Sequence, residues 1–236
     1  MKDSTISFAQ VSIVYSAALP AGDLQKRFGY VNMVGGEAGF KLKNNWMING
    51  GLRFLFGNTI YEKVAQNISV QIGSAETGYS QHAIGSDGRY YELRFYERGI
   101  VVPLTIGKII PIGKKLNPNS GLFVEGGAQF FQHKILMEVI GNNVPFLDKE
   151  GRKGYDRLTN GLGAVEGVGY RFFSKHRAIN FFIGVEASQN FTRSRRTINY
   201  DTGQREDALR FDLQYGLKAG WTFPIYQTAP EDEYFF

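Results

Sequence analysis

The chain of 236 residues contains no cysteine, which excludes a disulfide framework and any zinc site built on thiolates. It has three histidines, His82, His133 and His176. Their spacing supports no metal site, so no metal and no cofactor is expected. No apolar run reaches about 18 residues, the length that a transmembrane helix requires. The residues after Met1 lack the apolar core of about 7 to 15 residues that marks a signal peptide. An exported protein would therefore be read as a mature form with its leader removed. Helical periodicity is scarce. The excess of 27 Lys and Arg over 22 Asp and Glu gives a net charge of +5, but the cations are scattered among strands and turns. With no basic helix and no RNA-binding aromatic motif, no nucleic-acid partner is expected. Charge distributed in this way suits a surface beside anionic lipopolysaccharide.

What is present in quantity is glycine, 29 residues, and aromatic side chains, 14% of the chain. Both point to β architecture. The most informative stretch is residues 208–223, ALRFDLQYGLKAGWTF. Leu209, Phe211, Leu213, Tyr215, Leu217, Ala219, Trp221 and Phe223 fall on one face, and Arg210, Asp212, Gln214, Gly216, Lys218, Gly220 and Thr222 on the other. A strand this long exceeds the usual length of about 5 to 6 residues, and its apolar face ends in aromatics. A bilayer core needs roughly 9 to 11 tilted residues per strand, with aromatics at its rims. The stretch therefore predicts a membrane-spanning barrel strand with Trp46, Trp221 and Phe223 in a lipid-facing girdle. The mean hydropathy of -0.24 does not oppose this, because alternating strands leave hydropathy unremarkable.

The same alternation would also suit a soluble lipocalin-like barrel with its apolar face inward. Two features favour the membrane version. Facing lipid near the midplane, a cation such as Arg210 or Lys218 would cost about 2 to 4 kcal/mol, so the polar face must turn inward. The polar faces of the other strands are also rich in Gly, Ser, Gln and Asn and poor in Lys and Glu, which fits a packed lumen better than a solvated coat.

Seven further strands are expected at residues 5–18, 33–42, 46–56, 92–110, 121–140, 158–173 and 179–200. The fourth changes the parity of its apolar face, from Leu93 and Phe95 to Ile100 and Val102, and a bulge near Gly99 would reconcile the halves. The facing of the glycine-rich sixth strand is ambiguous. Residues 57–91 read as a long polar loop, with room for strand extensions into it through Ile68, Val70 and Ile72, and residues 141–157 as another. Connections after the second, fourth and sixth strands are short and the others mostly longer, the asymmetry of an outer-membrane barrel with a periplasmic N-terminus. The fold class is thus all-β: an eight-stranded antiparallel up-and-down transmembrane β-barrel with a filled lumen, over residues 1–223, followed by a periplasmic tail, 224–236.

This pattern over the whole chain resembles the small outer-membrane barrels of the OmpA and OmpX type. The segment 101–128, VVPLTIGKIIPIGKKLNPNSGLFVEGGA, with Pro103, Leu104, Lys108, Gly126 and Gly127, more specifically resembles the PorT-like family. That resemblance implies a bacterial outer-membrane location, contact with outer-membrane lipid and lipopolysaccharide, and envelope protein partners such as a type IX-like secretion system.

Three groups of residues are candidates for function. Glu37, Lys41, Arg53, Arg94, Arg98, Glu125, Glu166, Glu186, Arg210, Asp212 and Lys218 are expected to form a salt-bridge network that plugs the lumen, since unpaired charges there would be costly. An interior bounded by eight strands is only wide enough for side chains, which disfavours an ion path. His82, near Ser80, Ser86 and Asp87 in a long loop, supplies the residue types for a lipid-modifying enzyme. Proximity in sequence gives no geometry, however, and no enzymatic activity is expected. Tyr234, Phe235 and Phe236, which end an acidic tail, are candidates for a docking peptide. The expected role is that of a structural or interaction component, an accessory subunit of an envelope or secretion assembly.

Overall fold

The computed structural model describes residues 5–74, 78–112, 117–141, 143–174 and 180–225. The strands are β1 (Phe8–Gly22), β2 (Val31–Lys41), β3 (Trp46–Gly57), β4 (Val70–Ser74), β5 (Gly78–Ile84), β6 (Tyr90–Ile110), β7 (Gly121–Val139), β8 (Thr159–Phe173), β9 (Asn180–Ser194) and β10 (Arg210–Ile225). Eight of them form the wall. Each pairs with its antiparallel neighbour, β1 pairs with β10, and β3 pairs with β6 across the β4–β5 hairpin, so the sheet closes on itself. Closure satisfies the backbone without an exposed edge, as a spanning sheet requires. The hairpin continues the sheet beyond the barrel end, where Gln81 to Ile84 pair with Tyr90 to Leu93. This ordered hairpin fills part of the expected loop, and Val70 and Ile72, two of the positions with room for strand extension, lie in β4.

The polarity of the barrel is inside out. Ile13, Leu19, Phe54, Leu104, Ile183 and Leu217 are each more than half exposed on the outer face, while Lys41, Arg53, Arg171, Asp212 and Lys218 are buried within. The outer apolar band runs through every wall strand, the reverse of a soluble lipid-binding barrel. Trp46, Trp221 and Phe223 lie on this outer face near the end with the short turns.

Several expectations need correction. No bulge interrupts β6: its register with β7 is unbroken from Leu93↔Val139 to Ile110↔Leu122. Polarity changes along β6 because its surroundings change. Beyond the apolar band the outer face carries Arg94, Tyr96 and Arg98, while Leu93 and Phe95 pack inward against the loops. Parity is constant while hydrophobicity switches sides. β1 continues through Pro20 to Gly22, and β9 ends at Ser194, well short of Tyr200.

The interior is layered. At the turn end Phe8, Val14, Met47, Ile109, Phe123, Phe173 and Phe182 form an apolar plug. At the loop end a larger apolar core includes Leu24, Phe28, Val64, Phe131, Met137 and Leu147, contributed by wall strands and by the segments folded over the mouth. Charged and amide side chains fill the space between. Glycine makes room for them. A Cβ at Gly51 would lie 2.7 Å from Cγ of Glu37, and one at Gly107 would lie 2.8 Å from Cβ of Glu125.

Candidate functional site

The centre of the lumen is a compact ionic cluster. Arg53 on β3 donates to Glu37 on β2 at 3.0 Å and, through both terminal nitrogens, to Glu186 on β9 at 2.5 and 2.9 Å. Lys218 on β10 lies 3.0 Å from Glu37, 2.9 Å from Glu125 on β7 and 3.3 Å from Glu186. Three carboxylates thus face two cations. A third cation, Arg171 on β8, is 1% exposed, with its guanidinium carbon 4.3 Å from the ring centre of Phe182 and 5.6 Å from that of Phe123. Cation–π stacking on two rings suits a desolvated guanidinium, and its charge balances the carboxylates at three against three.

The expected network is therefore only partly assembled in one place. Glu37, Arg53, Glu125, Glu186 and Lys218 meet at the centre. Lys41 is separate, at the turn end, donating to Asn119 Oδ1 at 2.8 Å and to the Ile6 carbonyl at 3.1 Å. Arg210 and Asp212 sit toward the mouth, 3.6 Å apart. Asp212 also accepts from Thr192 at 2.5 Å and lies 3.2 Å from Nε2 of the fully buried His133. Three members are corrected. Arg94 and Arg98 point outward, Arg94 pairing with Glu92 at 3.1 Å and Arg98 stacking on Tyr96. Glu166 points outward as well, its neighbour Val165 being the buried residue. Even-numbered residues of β8 face out, so Glu166 and Arg171 could never share the lumen.

A second charged group closes the mouth. Arg27, 2% exposed, donates to Glu206 at 3.1 Å, to Thr159 at 3.2 Å and to Glu62. Glu62 also accepts from Arg157 at 2.7 Å, and Arg157 reaches Asp201 at 2.6 Å. Arg210 adds a 3.0 Å contact to Glu206 and a 2.8 Å hydrogen bond to the Asp23 carbonyl. These contacts join four connecting segments to one another and to the β10 end of the wall. Burial raises the Glu206 pKa, but the adjacent Arg27 and Arg210 outweigh it and hold the carboxyl below its ordinary value of 4.5. These residues carry no periodic signal in the sequence, because they lie in connections.

His82 is not brought to a nucleophile. Its Nδ1 lies 3.2 Å from the Ser80 carbonyl, while the Ser80 hydroxyl donates to the Ile72 carbonyl and Ser86 donates to Asn143. Asp87 is engaged with Arg89 and Tyr91. Tyr234, Phe235, Phe236 and His176 lie outside the described residues. Among the described residues no group of three or more His, Asp or Glu side chains is arranged to hold a metal ion.

No protein-family model matches the chain, and no curated protein matches it. Solved structures similar to it include Neisserial surface protein A, with a TM-score of 0.43 and 10% identity over 92% of this chain and 97% of that one. The Ail attachment invasion locus protein of Yersinia pestis, solved with the heparin analogue sucrose octasulfate, has a TM-score of 0.38 and 14% identity over 92% and 99%. The N-terminal β-barrel domain of Pseudomonas aeruginosa OprF has a TM-score of 0.40 and 9% identity over 91% and 97%. The fold, a closed eight-stranded antiparallel barrel, rests on this chain's own strand pairing and polarity.

Two outcomes follow from the charge layout. Lys218→Met leaves three carboxylates facing Arg53 and the stacked Arg171, and should lower stability by about 3 to 5 kcal/mol in urea unfolding from lipid vesicles. Adding Glu125→Gln should restore part of that loss. At the mouth, a carboxyl held below its ordinary pKa contributes stability that is fully present above pH 4.5 and is lost as pH falls through its folded value. Amide exchange in residues 23–29 and 201–207 should accelerate as pH falls below that point, after correction for intrinsic rates, and Glu206→Gln should reduce the pH-dependent increment, Asp23 supplying the remainder.

Proposed function

We propose that this protein is a structural and interaction barrel of the bacterial outer membrane, an accessory subunit of a larger envelope or secretion assembly. The observation that carries the reading is the combination of a continuous apolar outer band with a lumen sealed by two apolar plugs and a paired ionic centre. A barrel of this kind offers lipid an unbroken surface and offers solutes no path, so its work is done by its outer surfaces. Eight strands leave an interior that side chains fill.

The loop end supports a protein partner. The β4–β5 hairpin carries Val70, Ile72, Tyr79 and Ile84, each at least 40% exposed, on an extension of the sheet that stands clear of the barrel. Exposed apolar side chains grouped on a projecting element mark contact surfaces, and loops held by a rigid scaffold are where recognition concentrates. Lipopolysaccharide is the expected lipid neighbour, with outward Arg98 and Lys134 adjacent in register just beyond the apolar band. The PorT-like resemblance of residues 101–128 makes a type IX-like machine the first assembly to test.

The test expresses the chain behind a signal peptide. The folded protein should fractionate with outer membranes, migrate faster before boiling than after on a detergent gel, and co-elute with envelope proteins. In planar bilayers it should give no steady conductance. Recovery as a folded, detergent-independent soluble protein would overturn the membrane reading, and a stable open channel would overturn the sealed lumen.

A further inference from the structure

Within the apolar band, among the described residues, two side chains place a formal charge on the outer face: Glu166 on β8 and Lys108 on β6. Neither has an ion-pair partner or a side-chain hydrogen bond among the described residues. Lys108 rests 5.4 Å from the ring centre of Trp46, and Glu166 has no such contact. A carboxylate facing hydrocarbon is expensive when isolated, and polar groups at such positions commonly mark an interface.

The surroundings of Glu166 are shaped for close approach. It pairs across the sheet with Gly126 on one side and Ala187 on the other, and the next outward positions on β7 and β8 are Ala128 and Ala164, which pair with each other. Small side chains let a neighbouring surface come near, as they do where membrane segments associate. Lys108 pairs with Val124, Val124 pairs with Val168, and Glu166 lies two residues from Val168. Acid and base therefore occupy one three-strand wall, two strands apart and too far from each other to pair within a chain.

We propose that this β6–β7–β8 wall binds a second copy of the chain inside the membrane, with Glu166 of each copy facing Lys108 of the other. In a twofold arrangement the same patch serves both partners, so one acid and one base per chain give two complementary contacts and leave no outward charge unpaired. Low dielectric strengthens each contact. A second copy is the occupant for which the opposing charge is already on the page. The inference rests on the membrane-spanning reading.

The test uses the absence of cysteine in the natural chain. The full chain is made as Glu166→Cys, Lys108→Cys and the double variant, and oxidised in outer membranes at several expression levels. The double variant should give a band of twice the monomer mass, at least tenfold stronger than either single variant. Independently, Glu166→Lys and Lys108→Glu should each lower the dimer fraction of the detergent-extracted protein, and the combined charge swap should restore it. Heat-shift and membrane fractionation are scored for every variant. A folded, membrane-resident natural chain that extracts as a monomer, a charge swap that does not restore the dimer fraction lost in the single variants, or a double cysteine variant that cross-links to a different protein overturns the proposal. Failure of the natural chain to reach the membrane overturns the membrane reading and the proposal with it.

Discussion

Eight strands enclose a space only as wide as the side chains that fill it, and the ionic centre is how this chain fills the middle of it with charges that offset one another. Most acids and bases turned away from hydrocarbon find a counter-charge inside, at a distance set by the wall, whereas Lys41 is held by Asn119 Oδ1 and the Ile6 carbonyl. Arg53 and Lys218 approach from opposite parts of the sheet and share Glu37 and Glu186 between them. Glycines on neighbouring strands keep the carboxylate stems from clashing. The turn-end and loop-end apolar plugs then isolate the cluster from bulk water. In that setting each ion pair is strong, and each lost partner is costly.

The two ends are finished differently. The turn end is closed by aromatic and aliphatic side chains from the wall, with Lys41 tied to Asn119 beneath them. The loop end is closed by folded connections whose arginines, Arg27 and Arg157, bridge acids from distant parts of the chain. That ion-paired lid lets the mouth be capped by segments lacking regular structure, since their charges supply the contacts that a ladder would otherwise supply. Its carboxylates also make the lid respond to acid, whereas the apolar plugs do not titrate.

Much of the wall is legible from alternation alone. The 208–223 stretch fixes a facing that the structure retains residue by residue, and the short turns after β2, β6 and β8 reveal which strands are neighbours. What alternation misses has identifiable causes. In β8 the inward positions include Gly161, Gly163, Gly167 and Gly169, so the strand lacks the apolar–polar contrast that reveals facing, and Glu166 is exchanged for Arg171 as the inward charge. In β6 the contrast is strong but reverses where the outer face passes from lipid to water, which imitates a bulge. The lid residues carry no period, and only three-dimensional closure brings Arg27, Glu62, Arg157 and Glu206 together.

The account depends most on the claim that the apolar face of the wall meets lipid. The chain has two tryptophans, and both, Trp46 and Trp221, are on that face, 41% and 43% exposed. Reconstitution into vesicles of brominated phospholipids reads their surroundings directly. Strong quenching by bromine on the acyl chains, greatest for positions close to the headgroup, together with weak quenching by aqueous acrylamide, is the predicted result. Emission indifferent to brominated chains and readily quenched by acrylamide would contradict it, and the outer band would then have to be covered by something other than a membrane.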